Sequence, residues 1–594
     1  MKKISTTLIF FLFSTFSIVA QNGIIKGKVF NPISNEAIPF ANVVIQGTTT
    51  GTSTDIDGNY IISGLEPKLY NLEATSLGFE KAVVFEVQTF NNRPVFIDIE
   101  MMENSQLLEA VEVTASPFMK KEEAPVSMRS IGVSEIERNP GGNRDISRAI
   151  QSLPGVASTP AFRNDIIIRG GGPNENRFFL DGVEVPNINH FATQGSSGGP
   201  VGLINVNFIK EVDFYSSAFP ANRGNALSSV FEFTQKDGNP EGVKANFTVG
   251  SSDYGLTLDG PIGKNTSYVF SLRRSYLQFL FRALALPFLP IYNDTQFKIK
   301  TKLNDKNEIS LIGLGAFDNF ELNEGANDNV DDEETLERNR YILGNIPSND
   351  QWNYTLGLSY KHFADKSFQQ VVVSRNHLNN VAIKYQDNDE SDPNKLILDY
   401  SSQEIENKVR LEHTWRDKGW KWNVGVGYQN ATFTNSTYNR IVTSSGQELE
   451  IDFDSRLNIN RYSVFSQLSK SVWNNRLTLS GGIRTDFSDF NEEMLNPIDQ
   501  LSPRIAASLS LAPKWSLNTS IGRYFQLPPY TVLGYRNATG DLINQDNGID
   551  YIRADHYVAG VEYLPTANTK LTVEGFYKVY NDYPFLLRDS VSLA

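Results

Sequence analysis

Gly170-Gly171-Gly172 is where phosphate chemistry would be sought in this chain. The three glycines follow the β-branched run Ile166-Ile167-Ile168 and precede a second apolar run that ends in Asp181-Gly182. A phosphate-cradling loop needs Gly-Lys-Ser/Thr after its glycines, and a dinucleotide turn needs Gly-x-Gly-x-x-Gly; neither spacing is present. The triplet therefore reads as a sharp turn where another backbone or a wall comes close. Metal or hydrolytic chemistry fares no better. The five histidines, His190, His362, His377, His413 and His556, are scattered singly, and none opens a His-Glu-x-x-His motif. Four of them fall in or beside strand-like runs, as lining or loop residues rather than ligands. Asp331-Asp332 and Glu333-Glu334 belong to one charge run, the pattern of a solvated loop. The absence of cysteine excludes a thiol nucleophile, a disulfide scaffold and a lipid-bearing N-terminal cysteine. The expectation is a non-enzyme with no catalytic residue, metal site or cofactor.

The elements that would position binding residues come next. A chain of 594 residues exceeds what one core usually organises, so several domains are expected. Its formal charge of −14 is spread without a basic block, which argues against a nucleic-acid partner. Residues 1–20, with two lysines, a short apolar stretch and a small residue before Gln21, read as a secretory signal peptide. Residues 21–103 carry short strand-like runs between turn clusters, the pattern of a small β-sandwich. Asp55 and Asp57 lack the remaining ligand spacing of a calcium loop and read as a tight turn. Residues 104–126 form a connecting segment with one alternating run, Glu109 to Ala115; it is either an edge strand offered to a partner's sheet or the last strand of the sandwich. Residues 127–238 mix a short helix, N-capped by Asp145 and stopped by Gly155, with strands and many glycines, an α+β domain.

From 239 to 594 about 16 segments of roughly ten residues alternate apolar or aromatic with polar, separated by connections of unequal length, the pattern of a transmembrane β-barrel. No fixed-period repeat supports a propeller or solenoid. The apolar stretch 276–292 is interrupted by Gln278, Arg282, Pro287 and Pro290 and reads as a short helical excursion, not a span.

Three separated motifs, "AIQSLPGVAS", "IIIRGGGPNENRFFLDGVEVPN" and "FPANRGNALSSVFEFTQKDG", occur in an order that resembles the plug of TonB-dependent outer-membrane receptors. "GTSTDIDGNY" and the spaced glycines before it resemble a carboxypeptidase regulatory-like domain. The resemblance implies a mainly β protein: an N-terminal β-sandwich, and an α+β plug inside a large antiparallel barrel of 22 strands in the outer membrane. Glu109, Ala110, Val111, Glu112, Val113, Thr114 and Ala115 resemble the TonB box, captured by a TonB-type energy-coupling protein through strand addition. Arg169, Gly170, Gly171, Leu180, Asp181 and Gly182 match the plug hairpin, and Arg223 and Gly224 its closing motif. Their charges are expected to pair with plug or wall groups, as structural or gating residues rather than ligand contacts. The chain ends "RDSVSLA", without a terminal aromatic strand, and a large barrel cannot leave an open edge in lipid, so the barrel is expected to be partial and the sequence truncated. The implied function is import of a scarce solute, a siderophore, cobalamin or an oligosaccharide-like molecule, by energy-coupled displacement of the plug. The alternative is a non-transporting surface binder with a permanent seal. The ligand's contacts, and whether a surface lipoprotein accompanies the barrel, are left open by the residues.

Overall fold

The computed structural model describes residues 22–91, 93–103, 118, 120–142, 144–159, 163–328, 330–442, 446–537, 539–566, 569–586 and 591–592. Residues 1–20, read from the sequence as a signal peptide, and the whole of the Glu109 to Ala115 run lie outside the described residues. The chain divides into two compact units, 1–115 and 116–594.

In the first unit, two sheets enclose one apolar core. Gly23–Phe30 pairs antiparallel with Asn59–Leu65 and parallel with Val95–Phe96 and Ile99–Glu100; the other sheet runs Gly51–Ser53, Asn42–Ile45, Leu69–Thr75, Ala82–Gln88. Period-two burial in Asn59–Leu65, with Tyr60, Ile62 and Leu65 turned inward, follows from strands that show one face to a core and one to water. The Asp55 turn is closed from within: its carboxylate accepts from the backbone N–H of Asp57 (3.0 Å) and Asn59 (2.7 Å), with Gly58 in the left-handed region.

The second unit holds a small mixed sheet inside a large one. The small sheet has the order Val183–Val185, Asn176–Leu180, Ser229–Gln235, Ile209–Tyr215, Met128–Gly132, and only the pair Asn176–Leu180 with Ser229–Gln235 is parallel. Phe178, Phe214, Phe231 and Phe233 stack through its centre, Phe214 on Phe231 at 4.7 Å between ring centroids. The helix Ile146–Gln151 starts at Asp145, whose carboxylate accepts from the N–H of Ser147 (2.9 Å).

Around it runs a fifteen-stranded sheet, each strand antiparallel to the next, from Lys244–Val249 to Thr569–Asn581. Among the described residues its first and last strands pair on one side only. In Trp420–Val442 the outward positions read Trp422, Val424, Val426, Tyr428, while Gln429, Ala431, Phe433 and Asn435 turn inward and are buried. Lipid on one side and a packed polar lumen on the other demand this alternation. Aromatic contacts flank the band, Tyr428 with Tyr462 at 5.5 Å and Trp515 with Tyr563 at 4.4 Å. The connections are unequal: 365–366 and 418–419 join strands at one end, while 323–347 and 527–551 join them at the other. The apolar 276–292 stretch splits into a helix, Leu277–Ala283, and the start of a strand, Phe288–Asn304. The acidic run expected as a plain loop instead starts a helix: Asp332 caps Glu333–Asn345 by accepting from the N–H of Thr335 (2.9 Å), with acidic side chains in the first turn.

Candidate functional site

The small sheet and the wall share a core. Ile312, Leu314, Ala316 and Val372 of the wall pack with Leu180, Val183, Val185 and Phe231 of the inner domain, so the lumen is filled there by one continuous apolar cluster. Elsewhere the seam is charged, and the motif residues lie along it. Arg169, in the left-handed region, pairs with Glu574 of the wall and lies over the Phe576 ring at 5.1 Å. The turn that follows is tight because Gly171 has no side chain: a Cβ there would meet Ser228 Oγ at 1.7 Å. Leu180 is buried in the shared core. Asp181 and Gly182 both have positive φ, the two-residue turn that joins twisted strands, and connect Asn176–Leu180 to Val183–Val185. The Asp181 carboxylate accepts from the Gln235 N–H (2.9 Å) and pairs with Lys298 of the wall (2.9 Å); the Gly182 carbonyl accepts from Arg410 (2.7 Å). Arg223 is held by Glu232 of the inner sheet (2.7 Å) and Glu412 of the wall (3.2 Å), over the Phe179 ring at 4.6 Å. A Cβ on Gly224 would stand 2.1 Å from Arg484 Nε.

Two further anchors carried no sequence signal. His190, fully buried, places Nδ1 2.6 Å from Asp318 and Nε2 3.1 Å from Asp294, with the Tyr292 ring stacked at 4.2 Å. The Phe191 N–H donates to Asp318 (2.8 Å), and Gln351 both accepts from the Ala192 N–H and donates to the Ala192 carbonyl, each at 2.9 Å. Burial pulls the imidazole down, but the two carboxylates outweigh it and hold His190 up at about 9. The second anchor is Lys120-Lys121-Glu122-Glu123. Lys120 pairs with Glu562 (3.2 Å), Lys121 with Asp213, Glu122 with Arg416 through two bonds of 2.6 and 3.1 Å, and Glu123 with Lys421 (2.9 Å). Burial raises Glu123, and Lys421 with Lys121 more than compensates, leaving its carboxyl at about 2. These residues belong to the segment read as a connection up to 126; the structure ties 120–123 to the wall beside the short turn 418–419.

On the long-loop side a cavity of about 110 Å³ separates the inner domain from the wall. Arg177 and Glu184 of the inner domain face Asn376, Glu404, Glu406 and Arg461 of the wall, and Pro528, Pro529 and Tyr530 of the 527–551 connection close one side. Four buried polar atoms lining it have no hydrogen-bond partner among the described residues: Asn353 Nδ2, Asn376 Oδ1, Arg461 Nε and Gln526 Oε1. Buried donors and acceptors are rarely left unmade, so these four are open to a partner entering the cavity, water included. Among the described residues no cluster of three or more metal-type ligands occurs.

Comparison with known proteins matches this architecture piece by piece. The family described as "TonB dependent receptor-like, beta-barrel" matches residues 292–593, the "TonB-dependent Receptor Plug Domain" residues 120–230, and the "CarboxypepD_reg-like domain" residues 25–113. The TonB-dependent receptor SusC of Bacteroides thetaiotaomicron is 24% identical over 262 residues, 42% of this chain and 25% of that protein. A TonB-dependent receptor of Formosa agariphila is 26% identical over 297 residues, 47% of this chain and 27% of that protein. The matched stretches thus span about a quarter of those relatives' length. Among solved structures, a mutant ferric enterobactin receptor PfeA of Pseudomonas aeruginosa superposes with a TM-score of 0.57 at 17% identity, covering 78% of this chain and 72% of that one. The outer membrane transporter YddB of Escherichia coli gives 0.55 at 13%, covering 78% and 71%. At such identities the likeness is one of fold. The barrel match takes in half of the chain, and with the plug match beside it this chain belongs to the TonB-dependent receptors, proteins of the outer membrane.

Proposed function

We propose that this receptor imports a scarce polar solute, and that coupling force displaces the plug to let it pass. The observation that carries the reading is the unspent polar lining of the cavity between plug and long connections, on the far side of the plug from the 120–123 anchor. A solute bound there meets plug and wall together, and force on the chain before residue 120 acts on the same plug from the opposite end. Of the three solute classes raised by the sequence, an anionic ferric chelate fits least, because Glu184, Glu404 and Glu406 outnumber Arg177 and Arg461 in the lining. Glu109 to Ala115 is the segment proposed for capture by a TonB-type partner, where backbone pairing supplies the affinity. A surface lipoprotein above the long connections is a further proposed partner. The number of charged plug-to-wall contacts favours a second reading, a permanently sealed surface binder.

The two readings part on Val111→Pro in the full receptor. Proline removes a backbone donor and breaks strand pairing, so energised uptake falls to the level without coupling partner while solute binding is retained. Uptake that survives the substitution refutes the coupling role of this segment. Binding with no energised uptake by the unsubstituted receptor establishes the sealed binder.

A further inference from the structure

Within the cavity, two charged side chains of opposite sign lack an ion-pair partner among the described residues. Arg461 is 7% exposed. One of its terminal nitrogens donates to Gln429 Oε1 (3.2 Å), its Nε donates to nothing, and among the described residues no carboxylate stands within 4.0 Å. Glu404 accepts from the neutral Gln194 amide (2.9 Å) and has no cation within that distance among the described residues. Its neighbour Glu406 is different, being paired with Lys408 at 2.7 Å. Charge withdrawn from bulk water favours an opposite charge at contact distance, so Arg461, buried, and Glu404, partly buried, are each open to a direct ion pair with a solute.

We infer that the cavity takes a zwitterion with separated charges, a short peptide whose ammonium meets Glu404 and whose carboxylate meets Arg461. This rests on the cavity being the solute site. The spacing favours more than a single amino acid. Glu404 is level with Leu457 two strands along, four residues before Arg461. Two strand steps of about 4.8 Å and four residues of about 3.3 Å set the two backbones about 16 Å apart, less the inward reach of the side chains. An extended peptide covers about 3.4 Å per residue, which makes a few residues the fitting length. The unmade donor of Asn353 and acceptors of Asn376 and Gln526 match the alternating carbonyls and N–H groups of such a backbone. The free volume, about 110 Å³, is room for roughly eight waters at about 10–15 Å³ each, comparable to what a small peptide backbone displaces.

The experiment is calorimetry on the purified full receptor with alanine peptides of two to five residues, each also N-acetylated or C-amidated, and with a neutral maltotetraose control. Free-ended peptide of one preferred length binds saturably, and each cap weakens it at least tenfold. Glu404→Gln abolishes the penalty for acetylation alone, and Arg461→Gln the penalty for amidation alone. Capped peptides binding as well as free ones, or no saturable peptide binding while the sugar binds, overturns the proposal. The capped series needs no variant, so a variant that fails to fold does not obscure the answer. Peptide binding without coupled uptake would refute import and leave this assignment standing; coupled uptake of sugar alone would do the reverse.

Discussion

His190 shows how much one side chain decides at the seam. Its ring answers two wall carboxylates, Asp294 and Asp318, and Asp294 is also held by Arg273 at 3.0 Å, with Tyr292 covering the ring. Its proton is held more tightly in the folded receptor than in the unfolded chain. The resulting stability is therefore full below about 6.5 and is lost as the pH rises through about 9. The hydrogen-exchange protection factor of the segment around Asn189–His190, which is corrected for the intrinsic pH dependence of exchange, should fall across that window. In His190→Gln that step should vanish, and the segment should be less protected by about 3 kcal/mol at pH 6, since two buried carboxylates lose their shared cation. A protection factor that is flat from pH 6 to 10 in the unsubstituted receptor would contradict this account of the latch.

At the scale of elements, the first plug strand is the one most open to force. Met128–Gly132 sits at the edge of the plug sheet and, among the described residues, pairs only with Ile209–Tyr215. Its lead is pinned by Lys120, Glu122 and Glu123 to the wall and by Lys121 to the plug, so a pull on that lead meets these ion pairs before it reaches the sheet. The Glu122 and Glu123 pairs are largely shielded from solvent, and charge-assisted bonds of this kind contribute about 1.5–3 kcal/mol each. Glu122→Gln with Glu123→Gln should raise exchange of Met128–Gly132 at least tenfold while leaving the Phe178, Phe231, Phe233 core unchanged. Equal exchange in the two proteins would assign the pinning elsewhere.

For the whole molecule, the governing fact is that one sheet separates lipid from a charged and apolar interior. Val426 lies outward between Trp422 and Tyr428 on one strand, within the apolar band; Thr434 faces outward on the same strand, beyond Tyr428. Val426→Arg should cost about 2–4 kcal/mol in folding equilibrium into lipid vesicles, and Thr434→Arg about 0–1 kcal/mol, because the penalty falls with distance from the bilayer midplane. Similar costs at both positions would mean that the band is misplaced.

What the sequence by itself determined were the properties carried by local rules. Period-two alternation marked the barrel strands and Asp145 marked the start of a helix, because backbone and pleat geometry act over a few residues. The charged members of the plug motif could be named in advance, but their partners could not. Glu574, Lys298 and Glu412 stand 405, 117 and 189 positions from Arg169, Asp181 and Arg223. Only closing the wall around the plug brings them together. The same holds for His190, a lone histidine until two strands set carboxylates on either side of it. It holds too for the cavity, whose lining comes from the plug, many wall strands and one long connection. Burial decides which charges must be paired, and burial is a property of the assembled structure rather than of spacing along the chain.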